Sequence, residues 1–181
     1  MRALTVQQPW AWAIIHGGKS VENRTQAWGY RGPLAIHAGA RVSDRGMESP
    51  LVLKAAAQVD PDRPVVYRFL DKVWRHESLE LGAIIGVVEL VDVHQAEDGC
   101  CGSPWAETSY AEHGGRTRRE LVHLVLEDPV ALAEGVPCRG SLGLWTVPAD
   151  VLEQVGSQLR AADDLAYQRV VEALARAGVS W

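Results

Sequence analysis

Lys19, Glu22 and Arg24 stand within six residues of one another, directly after an apolar run that ends in Gly17-Gly18. A lysine and an arginine flanking a carboxylate offer two kinds of chemistry. They can clamp an anion such as a phosphate, or they can tune one another as a proton donor and acceptor. Glu22 and Arg24 are two apart, so on an extended segment both side chains fall on one side. Trp10 and Trp12 precede the group, and Trp28, Tyr30 and Arg31 follow it in a glycine-containing loop. Rings beside cations suit base stacking together with phosphate contact. The candidate ligand contacts are therefore Lys19, Glu22, Arg24, Trp10, Trp28, Tyr30 and Arg31. His37 joins them as an imidazole set in an apolar strand. In each case a purely structural role is the rival: an ion pair for Glu22 and Arg24, a core ring for Trp10, and a satisfied polar group for His37.

Charge distribution sharpens this reading. The chain of 181 residues carries a net charge of -5, so it offers no general basic footprint for nucleic acid. Residues 1–45 nevertheless sum to +4, which leaves -9 on the remainder. A locally positive mouth on an acidic body attracts an anionic ligand through its local field. Only three of the 18 basic residues are lysines, and arginine is the better fork for phosphate or carboxylate. Arg116, Arg118 and Arg119 add a second basic cluster.

The three cysteines, Cys100, Cys101 and Cys138, are an odd number, which argues against a disulfide framework. A zinc site would need a fourth ligand from His94, His113 or His123, and adjacent Cys100 and Cys101 are a poor pair for one ion. The expectation is thiols without a metal, and no cofactor. No Walker loop, dinucleotide fingerprint, nucleophile elbow or metalloprotease helix occurs. No apolar run is long enough to span a membrane and no secretory layout opens the chain, so the expectation is a soluble cytoplasmic protein with no membrane partner.

The elements that must position these residues follow from periodicity. Arg2–Val6 reads as a strand, and Gln7–His16 as a helix with Pro9 in its first turn and the Gly pair as its stop. Residues 33–38, 82–93, 121–126 and 142–146 read as strands, the third ended by Asp128-Pro129. Residues 49–59 and 64–75 read as helices, and 96–119 as a long excursion. After Pro148, Leu152, Val155, Leu159, Val170 and Leu174 recur at helical spacing. The fold class is α+β.

Gln8-Pro9-Trp10-Ala11, Gly18-Lys19-Ser20-Val21-Glu22-Asn23-Arg24 and Tyr30-Arg31-Gly32-Pro33-Leu34-Ala35-Ile36-His37-Ala38 look like the opening segments of the ASCH family (activating signal cointegrator homology). Val122-His123-Leu124-Val125-Leu126 and the stretch from Val136 to Trp145 resemble its closing strands. The resemblance covers about residues 2 to 147. It implies a fold similar to the PUA RNA-binding barrel: a small mixed β-barrel surrounded by helices over residues 1–147. Residues 148–181 would be a helical extension, packed on the barrel or on a second subunit as a homodimer. It also implies a cleft lined by the Lys19 segment and suited to RNA, single-stranded DNA or a modified nucleoside. Some small members resemble amidohydrolases of acylated cytidine that use a lysine, a threonine three residues later and a distant glutamate. Lys19 matches the lysine, Glu22 stands at the threonine position, and Glu107 is the candidate for the distant acid. The first functional reading is nucleic-acid or nucleotide binding. The alternative is a hydrolase of an N-acylated nucleoside such as acetylated cytidine, or of the RNA backbone, with Lys19 and Glu22 as catalytic residues.

Overall fold

The computed structural model describes residues 1–59, 79–107, 110–112, 118–162 and 164–176. The helix expected over 64–75 and Arg116 lie outside the described residues, as do the side chains of Arg118 and Arg119. Six strands make one mixed sheet. In chain order they are β1 (Arg2–Gln8), β2 (Val21–Arg24), β3 (Gly32–Val42), β4 (Ala83–Gln95), β7 (Val122–Pro137) and β8 (Leu144–Thr146). Their order across the sheet is β2-β7-β4-β3-β1-β8. Among the described residues only β1 and β3 run parallel. Between β4 and β7 a separate short pair forms from β5 (Tyr110–Glu112) and β6 (Arg118–Glu120), within the expected excursion.

The expectation of a closed barrel is overturned. The outermost strands, β2 and β8, do not pair with each other, so the sheet is open. They have four and three residues, and each spends its ladder on one neighbour, β2 on β7 and β8 on β1. Instead, β8 covers β1 only from Arg2 to Leu4. The Thr5 carbonyl, the next along β1, accepts a hydrogen bond from Arg24 Nη2 of β2 at 2.8 Å. A side chain thus bridges part of the opening that backbone pairing would close in a barrel.

Alternation along the strands gives the sheet two buried faces. Leu4, Leu34, Ile36, Leu90, Val122 and Leu124 point to one face, where helix α1 (Trp10–Ile15) supplies Ala11, Ile14 and Ile15. Ala3, Ala35, Ile84 and Val87 point to the other, beneath helices α4 (Ala149–Ala162) and α5 (Asp164–Arg176). Val151, Val155, Leu159, Val170 and Leu174 form the helices' apolar stripe against that face. The helices expected after Pro148 therefore pack on the sheet of their own chain. Two more helices, α2 (Asp44–Met47) and α3 (Pro50–Val59), follow β3.

The strand β7 departs from expectation. It continues through Asp128-Pro129, where a stop was expected, because Asp128 turns with φ 47° and the chain then resumes its pairing with β4. The β4–β7 ladder shifts register at three places, and such irregularities bend and twist a strand pair. No helix among the described residues is long and apolar enough to cross a membrane.

Candidate functional site

The first helix is built to deliver Lys19. Gln8, buried at the end of β1, accepts the Trp12 amide on its side-chain oxygen (2.9 Å) and donates to the Glu80 carbonyl (3.0 Å). That satisfies one of the orphan N–H groups of the helix start. At the other end Gly18 adopts φ +66°, a left-handed turn that costs a glycine nothing. The amides of both Gly17 and Lys19 then donate to the Ala13 carbonyl at 2.9 Å. The chain reverses there, and β2 begins two residues later along the outer edge of β7.

On β2 the expected two-residue parity holds. Glu22 lies opposite Leu124 and Arg24 opposite Val122, so both face the α1 side of the sheet. Glu22 is the centre of a triad: its Oε2 is 3.0 Å from Lys19 Nζ and its Oε1 is 3.0 Å from Arg24 Nε. Lys19 Nζ also donates to the Val21 carbonyl. The ammonium lies 5.9 Å from the ring centres of both Trp10 and Trp105, within cation–π range. The Lys19 and Glu22 side chains are only 4% and 10% exposed, whereas that of Arg24 is 28% exposed. Arg24 Nε–H is not aimed at the carboxylate, so this contact is an ion pair and not an aligned hydrogen bond. Burial opposes ionisation of Glu22 most strongly. The charges of Lys19 and Arg24, with the short Lys19 contact, outweigh it, holding the carboxyl below its ordinary range.

The other expected contacts occupy different places. Trp10 adjoins the triad and donates its indole N–H to Ser43 Oγ (3.2 Å). Trp28 and Tyr30 pack against the α1-side core, and the Tyr30 hydroxyl donates to the Pro33 carbonyl at 2.6 Å. Arg31 is spent on its own loop and the next strand: it donates to the Trp28, Tyr30 and Val93 carbonyls and to Asp92 Oδ1. His37 points to the opposite face of the sheet. Its Nε2–H donates to the Cys138 carbonyl at 3.0 Å, and its buried Nδ1 has no partner among the described residues. A surface hollow of about 350 Å³ lies there, lined by Thr5, His37, Gly39, Arg139, Ser141 and others. Lys19, Glu22 and Arg24 do not line it. Glu107 pairs with Arg45 at 2.8 Å and is not in the triad.

Sequence reasoning did not place Trp105 and Asn23 at this site. Trp105 is 8% exposed and packs on Ala13 and Val21. Its segment is held to β2 by Asn23, which donates to the Trp105 carbonyl (2.9 Å) and accepts from the Glu107 amide (3.1 Å). Ser20 Oγ and Ser103 Oγ add a hydrogen bond at 3.0 Å. A polar residue with small hydroxyls beside it in an edge strand was the available signal.

The reading of adjacent Cys100 and Cys101 as unsuited to one ion is also corrected. The chain turns between Gly99 (φ +74°) and Gly102 (φ +58°), which brings both sulfurs to the same side. His94, Cys100, Cys101 and His123 place their ligand atoms within 4.8 Å of one another, on the face of β7 turned away from Glu22. His113 lies outside the described residues. A backbone hydrogen bond at Glu97, followed by His94, Cys101 and His123, draws the Cys100 thiol down to about 6 against desolvation. Burial, then Cys100 beside it, pushes the Cys101 thiol up to about 11.

Solved structures of ASCH from Zymomonas mobilis align with this chain at low identity. The wild-type protein is 13% identical with a TM-score of 0.48, covering 86% of this chain and 93% of that one. A serine-to-alanine variant gives 14% and 0.49, with 86% and 94% covered. A tyrosine-to-phenylalanine variant gives 12% and 0.48, with 86% and 96% covered. No curated protein matches the chain. Residues 4–124, about two thirds of the sequence, match the ASCH domain, and the chain belongs to the ASCH domain family.

Proposed function

We propose that the protein binds nucleic acid or a nucleotide, RNA or another single strand above all, where the opening between β2 and β1 meets the Lys19–Glu22–Arg24 triad. The observation that carries this reading is the graded exposure of the triad. Two cations share one carboxylate, so the network retains a net positive charge, and its most exposed member is the Arg24 guanidinium. A planar guanidinium held by Glu22 and by the Thr5 carbonyl is pre-oriented to receive a phosphate or a base edge. The positive balance of the first 45 residues on an acidic chain and membership in the ASCH domain family support the same ligand class.

The roles within the triad divide. Arg24 contacts the ligand. Glu22 and Lys19 are positioning residues, since both are enclosed and their polar atoms are engaged. Recognition then depends on a few contacts and not on broad charge neutralisation, so the salt dependence is shallow and single strands or free nucleosides are preferred over duplexes.

The hydrolase alternative would use Glu22 as proton acceptor. Both of its oxygens already face cations and its carboxyl is held below the ordinary range, which makes it a weak base near neutral pH. The experiment is a titration with labelled single-stranded RNA and DNA, their duplexes and a nucleoside panel, with acetylated cytidine followed for turnover. Binding of at least one single-stranded or nucleoside class, lost in Arg24→Ala, is the expected result. No binding of any class at low salt overturns the reading.

A further inference from the structure

We propose that His94, Cys100, Cys101 and His123 form a zinc site that staples the segment after β4 to the face of the β4–β7 ladder turned away from Glu22. The first support is geometric. Cys100 Sγ lies 3.1 Å from His123 Nδ1, 3.3 Å from His94 Nε2 and 3.6 Å from Cys101 Sγ. Cys101 Sγ is 3.3 Å from both imidazole nitrogens. Zinc bonds of about 2.3 Å to sulfur and about 2.0–2.1 Å to nitrogen set tetrahedral ligands roughly 3.4–3.8 Å apart. The five contacts that involve sulfur stand within about half an ångström of that arrangement, and all four ligand atoms lie within 4.8 Å of one another.

The second support is the far side of each imidazole. His94 and His123 are direct partners across the β4–β7 ladder, their ring centres 5.6 Å apart. His123 Nε2 is 2.9 Å from the Glu107 carbonyl, which can only accept, so its N–H is on Nε2 and Nδ1 turns a lone pair to the sulfurs. His94 Nδ1 is 2.6 Å from Asp92 Oδ2, which places its proton there and leaves Nε2 facing the sulfurs. Asp92 is held in turn by Arg31 at 3.2 Å. Metal-binding histidines are oriented in this way, by a carboxylate or carbonyl on the other nitrogen.

The third support is a shortage of donors. With both imidazoles neutral, the five sulfur contacts have only the two thiol protons to share. A divalent cation with two thiolates satisfies all four groups together. Two sulfurs and two imidazoles suit zinc, and four protein ligands leave no position for a substrate, so the site is structural. It would hold the start of the segment whose far end carries Trp105 to the triad. The assignment is independent of the nucleic-acid reading.

The test begins with untagged protein purified without chelators and assayed for metal by mass spectrometry. One zinc per chain is expected. After removal of the metal by a chelator under reducing conditions, Co2+ restores the intense visible bands of a tetrahedral thiolate site, and Zn2+ displaces it. Cys100→Ser/Cys101→Ser loses the metal, whereas Cys138→Ser keeps it. Asp92→Asn retains the ligands and weakens metal affinity by about 10–100-fold. The stripped wild-type chain makes the test independent of whether the double variant folds. Zinc well below one per chain with no Co2+ bands on reloading would overturn the proposal. So would a Cys100–Cys101 disulfide in freshly purified protein, or both thiols reacting freely before any chelator is added.

Discussion

Asn23 and His123 face each other across the β2–β7 ladder and grip the same short segment: Asn23 takes the Trp105 carbonyl and the Glu107 amide, and His123 donates to the Glu107 carbonyl. One register position therefore anchors the segment that carries Trp105 beside Lys19 and also belongs to the His–Cys cluster. Replacing Asn23 by Ala leaves the part-buried Glu107 amide and Trp105 carbonyl short of partners, at a cost of about 1 kcal/mol. Hydrogen exchange should rise over residues 103–107 while the His37 hollow, three strands away from β2 in the sheet, keeps its protection. Equal loosening at the two places would contradict the assignment.

The triad is a buried ion network, and removing its centre should be severe. Glu22→Ala strands two cations in an enclosed place, with an expected loss of about 3–5 kcal/mol in urea unfolding. Lys19→Met combined with Glu22→Leu removes one cation and the carboxylate together and should recover a large part of that loss. A single-variant cost below about 1 kcal/mol would show that the network is solvated and not enclosed.

Acid should unfold the protein partly through the same carboxyl. The folded state holds Glu22 below its ordinary value of 4.5, so the unfolded chain takes up the proton first as pH falls. The stabilisation is complete above that ordinary value and is lost as pH drops through the lower folded value. Stability of the wild type measured from pH 7 to pH 3 should therefore fall more steeply than that of Glu22→Gln. Parallel curves would remove Glu22 from the account.

The core of β7 carries both sites. Leu124 is fully buried opposite Glu22, and Leu124→Ala should cost about 2–5 kcal/mol. The β2 register and the position of His123 depend on this strand, so zinc retention at moderate urea should decline with it.

Local signals made much of this legible. The helix that ends at Gly17-Gly18 and the apolar strands 33–38 and 82–93 follow from periodicity and from glycine at a reversal. So does the juxtaposition of Glu22 and Arg24, because parity is a local property. What periodicity does not encode is register between distant strands. The open edge between β2 and β8, the passage of β7 through Asp128-Pro129 and the placement of Trp105 over Lys19 all depend on long-range pairing. His94 and His123 are 29 positions apart in sequence and meet only because β4 and β7 pair antiparallel. Cys100 and Cys101 converge because two left-handed glycines flank them, a turn that adjacent cysteines in an extended chain would not make.

Fluorescence titration of a labelled single-stranded RNA against wild-type protein and Arg24→Ala tests the central claim most directly. Loss of one charged contact should weaken binding about tenfold or more and reduce the salt slope by about 1, with Arg24→Lys between the two. Equal affinities and equal slopes for wild type and Arg24→Ala, with both proteins folded, would contradict it.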